Sequence, residues 1–302
     1  VYVSSGGKFN MNGGTITGCT ATGDGGGVYA APDGTMTMNS DASISGCTAA
    51  DGAGIYLVGT LNANGGTVGR AVKVAALDDG AGTKGHGHIA TTGGSGTTFT
   101  AKVTVERHSG GEVGKISGGT FDGEVVNQGE IDGGTFHAKV SNGEPGSNSS
   151  VGAITGGTFT GEVTNNVGST ISGGTFHGAV TNIGTINNGT FAGTVTNKTD
   201  GAQSSGGGGN AGTIHDGTFT GTVTNDKDCT ISGGTFNKAV INSGMITGGS
   251  FEGEITGNGN VNFTDSSTPV YTVRFMADEQ EYETKYVTNL NVIISRPSTN
   301  PT

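Results

Sequence analysis

Along the first third of this chain, a few residue types with chemical potential recur at nearly constant intervals. Asp24, Asp51 and Asp79 each open an Asp-Gly-x-Gly phrase. If those phrases stack, the carboxylates sit ~5 Å apart and repel, and calcium is the hard cation that would relieve them. Asp-Gly also makes a solvated turn without any ion, and no Gly-Gly-x-Gly-x-Asp nonapeptide array accompanies it. Turns are therefore expected at these three positions, with calcium as the one cofactor candidate. Tyr2, Tyr29 and Tyr56 form a second column, able to grip a glycan or protein partner or to stack on itself and shield a sheet. Cys19 and Cys47 fall 28 residues apart, as neighbours within disulfide reach or as a buried thiol stack; with Cys229 left single, the thiol stack is expected.

Catalysis is weighed on the remaining titratable groups. A glycoside hydrolase needs two carboxylates about 5 to 9.5 Å apart, and a lyase needs a basic group beside carboxylates. Glu124, Glu162 and Glu254 share a place in the repeat but not adjacent copies, and Asp122 and Glu252 stand alone. Sugar subsites favour aromatic platforms, and Trp is absent. His86 and His88 make a His-x-His pair without a third ligand and are expected in an exposed loop, while His137 and His177 should face solvent. No catalytic residue is assigned, and the expectation is a chain that is not an enzyme.

These residues sit in a framework set by internal repetition. From Ile116 to Gly257 the phrase Ile-x-(Gly)-Gly-Thr-Phe-x-x-x-Val-x-Asn recurs, with its phenylalanines at Phe121, Phe136, Phe159, Phe176, Phe191, Phe219, Phe236 and Phe251. Length varies only between the closing Asn and the next Ile, where Gly143–Ala153 and Lys198–Thr213 form the long inserts. A fixed unit with insertions at one corner is the signature of stacked solenoid coils. Upstream, longer coils use another phrase: Phe9-x-Met11-Asn12, Met36-x-Met38-Asn39 and Leu61-x-Ala63-Asn64. Alternation over three to five residues, broken by Gly-Gly, Asn-Gly and Asp-Gly, predicts short strands and turns.

The fold expected is all-β: a single-stranded right-handed parallel β-helix, the hand following the rule for parallel connections, then a short β-rich C-terminal module. Boundaries fall at 1–115 for the long coils, 116–262 for the short ones and 263–302 for the module. Arg70–Lys115 is less regular, with room for two wide coils that include Val103–Val105. In the short coils Ile, Phe and Val should point inward, with Gly and Asn at the corners, where they tolerate positive φ. The column Asn127, Asn142, Asn165, Asn182, Asn197, Asn225 and Asn242 is expected to form an amide ladder that ends at Gly257. Composition agrees with such a fold: 62 glycines and 31% hydrophobic residues are too little apolar material for a round globule of 302 residues. A balance of 25 acidic against 14 basic residues, net −11, repels phosphate backbones and excludes a nucleic-acid partner. No run of 18 apolar residues spans a membrane. Val1 already stands mid-coil, no signal peptide or initiator Met is seen, and a longer native chain is expected.

Two resemblances extend this reading. The Gly-Gly-Thr-Ile-Thr-Gly and Gly-Gly-Gly-Val-Tyr phrases of Gly13–Tyr29, with the serial Gly-Gly-Thr-Phe units, resemble right-handed β-helix regions of surface proteins from Gram-positive gut bacteria. Val270–Phe275, Tyr286-Val287, Pro297 and Pro301-Thr302 resemble the opening half of the internalin B-type (Listeria–Bacteroides) repeat, a β-grasp-like surface module, although Ala277–Glu281 stands where a glycine-rich turn is usual. The resemblance implies a secreted, cell-wall-attached, adhesin-like protein, with host or extracellular-matrix glycan or protein as partner. Polysaccharide-active β-helix enzymes share the fold and are the alternative. Ice binding is a remoter one, because the Thr column at Thr120, Thr135, Thr158, Thr175, Thr190, Thr218 and Thr235 lacks a regular second rank.

Overall fold

The computed structural model describes residues 1–78, 84–93, 96–108, 111–145, 147, 149, 151–201, 210–263, 271–277 and 280–287. It divides into two compact units, Val1–Gly174 and Thr175–Thr302. Among the described residues all regular structure is strand, and within each unit the strands stack parallel and in register, the arrangement of a parallel β-helix.

In the first unit one sheet is built from Tyr2–Val3, Val28–Ala30, Ile55–Leu57, Val72–Val74, Val103–Val105, Val125–Asn127, Val140–Asn142 and Val163–Asn165. Each strand pairs with the next without a slip. Period-two alternation sends the first and third residue of each three-residue strand inward, giving a file Val28, Ile55, Val72, Val103, Val125, Val140, Val163, all buried. The irregular stretch is thereby placed: Val72–Val74 and Val103–Val105 head two coils of their own. On the second sheet Ile44, Val68, Phe99, Phe121, Phe136 and Phe159 form one inward file, and Met36, Leu61, Ile89, Ile116, Ile131 and Ile154 another. The first coils carry a further file, Met11, Met38 and Ala63. This extra inward position is why they need more residues per turn.

The second unit repeats the narrow coil. Val180, Val195, Val223, Val240 and Ile255 make one file. Phe176, Phe191, Phe219, Phe236 and Phe251 make another, with ring centroids 4.6 to 4.8 Å apart and planes within 7°. That spacing is the parallel inter-strand distance, so each ring lies on the next as a direct result of the coil pitch. Phe263 ends the stack edge-on, its plane at 81° to Phe251. The strands Tyr271–Ala277 and Gln280–Val287 form an antiparallel hairpin, and the latter pairs antiparallel with the last coil, Tyr286 opposite Ile255. Both strands fall in the stretch 263–302 expected to be a β-rich module; Pro297 and Pro301 lie outside the described residues.

The asparagine column departs from expectation in one respect. These residues are not corners at positive φ; they are the inward third residue of each Val-x-Asn strand and are fully buried. The core of a short coil therefore holds four inward residues, one of them polar. Asn127 Nδ2 donates to Asn142 Oδ1 at 2.7 Å and Asn142 Nδ2 to Asn165 Oδ1 at 2.7 Å. In the second unit Asn182, Asn197, Asn225 and Asn242 are linked likewise at 2.7, 2.8 and 2.8 Å. Each amide also donates to corner carbonyls, such as Asn197 to Gly212 at 3.0 Å. Burial of an amide is tolerable because every donor and acceptor is engaged. The corners themselves belong to glycine: Gly234 sits at φ +112, and a Cβ there would lie 3.1 Å from the Phe219 ring.

Candidate functional sites

The Tyr column is set by the alternation of the first sheet, which turns Tyr2, Tyr29 and Tyr56 outward when their neighbours go in. The rings stack at 5.5 Å and 13°, then 5.3 Å and 3°. Tyr29 therefore has both faces covered by phenol rings, and the column offers edges to solvent. The next outward place belongs to Lys73. Its ammonium lies 2.9 Å from Asp51 Oδ2 and also pairs with Glu106, with only 15% of the side chain exposed. Burial alone would depress the Lys73 ammonium, but hydrogen bonds to Glu106 and Asp51 outweigh it and hold its pKa above the ordinary value. Burial, then the charges of Asp24 and Glu106, push the Tyr56 phenol up to about 12. Burial, Tyr2 and Asp24 raise Tyr29 as well. Phenols held protonated well above neutrality supply neither a base nor a nucleophile.

Asp24 and Asp51 are on adjacent coils, joined by the bond from Gly25 N to Asp51 O at 3.1 Å, and both are exposed. Asp79 lies outside the described residues; the place beside Ile55–Leu57 is taken by Val72–Val74. The cation at Asp51 is thus the lysine of the next coil. Calcium takes six to eight oxygens, and among the described residues no group of three or more His, Cys, Asp or Glu is disposed to hold a metal.

A second cluster lies on the outer face of the other sheet and was not legible in the sequence. His88 is in the strand His88–Ala90, half-buried, and not in an exposed loop as expected; His86 is exposed, 3.5 Å from Glu112. His88 Nε2 lies 2.8 Å from Ser117 Oγ on the next coil. Ser117 is also hydrogen-bonded to Asp132, one coil further, and Lys115 reaches Asp132 at 2.8 Å and Glu130 at 3.2 Å. Burial, then Lys115, lowers the His88 pKa. Burial would raise Asp132, but hydrogen bonds from Lys115 and Ser117 overcome it and hold the carboxyl below its usual range. The residue types are those of a nucleophilic triad, but their order is not. A general base must take the serine proton while a carboxylate orients the base. Here the serine stands between the two, and its single proton goes to Asp132. Neutral His88 must then donate to Ser117, and Asp132, stabilised as an anion, is a poor base. The arrangement binds three coils together; it does not activate Ser117.

Other titratable groups line up along the coil direction. Glu124 and Glu162 are separated by Lys139, since Val125 N bonds Lys139 O and Val140 N bonds Glu162 O. The two glutamates therefore stand two coils apart with Lys139 on the coil between them. His137 Nδ1 is 2.7 Å from Asp122 Oδ1, both exposed, and His177 is exposed. The three cysteines are free. Cys47 is buried with its thiol toward Ser45 O at 3.3 Å, Cys19 is half-buried, and burial lifts the Cys229 thiol to about 11. The Thr column forms single files, Thr98, Thr120, Thr135 and Thr158 in the first unit and Thr175, Thr190, Thr218 and Thr235 in the second. The inserts leave their coils directly after the ladder residues Asn142 and Asn197, and the second returns at Thr213–Ile214.

Comparison of the chain with protein-family models, with curated proteins and with solved structures found no match. What the coordinates establish on their own is the fold, a parallel β-solenoid of wide and narrow coils.

Proposed function

We propose that this chain is a non-enzymatic display element of a bacterial cell surface, secreted and attached to the wall, whose coils hold corner loops and outer columns out for contact with host or matrix glycan or protein. The observation that carries the reading is how the reactive groups are used. Lys73 is engaged by both Asp51 and Glu106, and His88, Ser117, Asp132 and Lys115 are consumed in cross-coil bonds. In the narrow coils inward positions barely vary, whereas length varies at the corner that follows the ladder asparagine. A scaffold with a fixed interior and one variable corner suits presentation. The resemblance to surface β-helix regions supports the same assignment of place, and the resemblance of the tail to an internalin B-type repeat supports a second surface module after it.

The test is binding of the purified chain to immobilised mucin and to a glycan array, alongside variants in which 143–153 or 198–213 is shortened to a three-residue corner. Retained fold with lost binding supports display by the corners. Depolymerisation of pectin, mucin or host glycans by the intact chain would overturn the reading in favour of an enzyme.

A further inference from the structure

One narrow coil of the second unit breaks the outer pattern of the others. Its outward files run Thr181, Thr196, Thr224, Ile241 and Thr185, Thr213, Thr230, Met245. At both places flanking the two-residue corner Ser243-Gly244, a threonine is replaced by a large apolar side chain. Neither is covered: Ile241 is 45% and Met245 44% exposed. Hydroxyl-bearing β-branched residues suit a solvated sheet face, so the two apolar exceptions set this coil apart from its neighbours.

The corner of the preceding coil supplies the second observation. It spans four residues, Asp226–Cys229, against two in its neighbour, and Asp228 adopts φ +69, a left-handed conformation that Asp tolerates. The longer loop overhangs the shorter one and leaves a cleft of about 400 Å³, walled by Lys227 and Asp228, with Met245, Ser243 and Asn260 as its other lining. That volume is within the range of small-ligand sites. The lining combines one soft apolar surface with neutral amide and hydroxyl groups and one charge of each sign. A net anion gains little there, because Asp228 offsets Lys227.

We propose that this corner cleft binds a neutral pyranose unit at the end of a glycan, its C–H face on Met245 and its hydroxyls shared among Asp228, Lys227, Ser243 and Asn260. Carboxylate and ammonium, adjacent on the overhanging corner, serve vicinal hydroxyls side by side, one accepting and the other donating. Ile241 stands on the other side of the corner Ser243-Gly244, outside the cleft lining. The inference rests on the glycan-binding reading and gives it a location other than the long inserts.

The experiment is saturation-transfer difference NMR of the full chain with methyl glycosides of glucose, galactose and mannose and with neutral mucin-derived oligosaccharides. Met245→Thr and Ile241→Thr restore the residue found in neighbouring coils, so they test binding without threatening the fold; Asp228→Asn removes the carboxylate charge and replaces one acceptor oxygen by a donor. The expected result is transfer to ring C–H protons of at least one probe, weakened tenfold or more in Met245→Thr and Asp228→Asn, with the unfolding midpoint of Met245→Thr unchanged. Equal binding by wild type and Met245→Thr overturns the cleft while leaving the display reading intact. Absence of binding to every probe also overturns it, and absence of mucin and glycan-array binding besides overturns glycan recognition as a whole. Preferential binding of a sialylated or sulfated probe that persists in Met245→Thr would overturn the neutral-sugar assignment.

Discussion

Replacing Asn197 by alanine tests whether the buried amide file is a cooperative chain or mere filling. Asn197 Oδ1 accepts from Asn182 at 2.7 Å, and its Nδ2 donates to Gly212 O at 3.0 Å and Asn225 Oδ1 at 2.8 Å. Truncation removes these bonds and leaves Asn225 Oδ1 buried without that donor. Asn182 suffers less, because its Nδ2 retains the carbonyls of Gly184 and Thr213, both at 3.2 Å. Two or three net hydrogen bonds at about 1 kcal/mol each, partly overlapping with an orphaned acceptor at about 1–3, give an expected loss of about 3–4 kcal/mol. Asn242 is the internal control. It ends the file, so Asn242→Ala strands no acceptor further along, and its expected cost is about 1–2 kcal/mol. Asn197→Asp goes further, since a carboxylate cannot donate to Asn225 and its charge is buried. Such an acid has a folded pKa above its unfolded value; its penalty is full above the folded pKa and fades as pH falls toward the unfolded one, near 4. This variant should therefore gain stability relative to wild type between neutrality and about pH 4. Urea unfolding followed by circular dichroism at pH 7 and pH 4.5 reads all three variants. Equal midpoints for Asn197→Ala and Asn242→Ala, or a pH-independent deficit in Asn197→Asp, would refute the reasoning.

Further expectations follow from other columns. Phe219, fully buried between Phe191 and Phe236 at 4.8 and 4.7 Å, should cost about 3–5 kcal/mol as Phe219→Ala; a change below 1 kcal/mol in denaturant unfolding would mean that the coils close over the gap. Asp132, held below its usual range, contributes stability above the unfolded carboxyl pKa that is lost as pH falls through the folded one. Asp132→Asn should thus be less stable than wild type at pH 7, and the gap should close in acid titration below about pH 4; a constant gap would exclude the Lys115 and Ser117 bonds as its source. Thiol labelling at pH 8 should modify half-buried Cys19 first and Cys229, with its thiol at about 11, only on unfolding; a mass lighter by two hydrogen atoms under oxidising conditions would reveal a Cys19–Cys47 bridge instead of free thiols.

Legibility in the sequence followed the kind of constraint at each position. The phenylalanine and valine files could be read because one residue type recurs in one phrase, and stacking rings demand like above like. The same file was lost above Phe121, where Phe99, Val68 and Ile44 continue it. A core position fixes only apolar character and rough volume, so identity drifts while geometry holds. The asparagines were recognised as a ladder but placed at corners, because burial of an amide is invisible until its neighbours supply every partner. His88, Ser117 and Asp132 were missed for another reason. They meet only through the register of three coils of unequal length, which no fixed interval encodes.

The strand Gln280–Val287 meets the last coil running the opposite way, and edge-on Phe263 ends the aromatic file. A further turn of the same repeat cannot be laid on a reversed strand and a tilted ring. Duplication in the gene can therefore lengthen the interior at will, since every inserted copy finds duplicates of itself above and below, while the terminus is inherited unchanged. Reach and ending become separable traits: one evolves by copying, the other by keeping a reversed strand where a copy would have to stack.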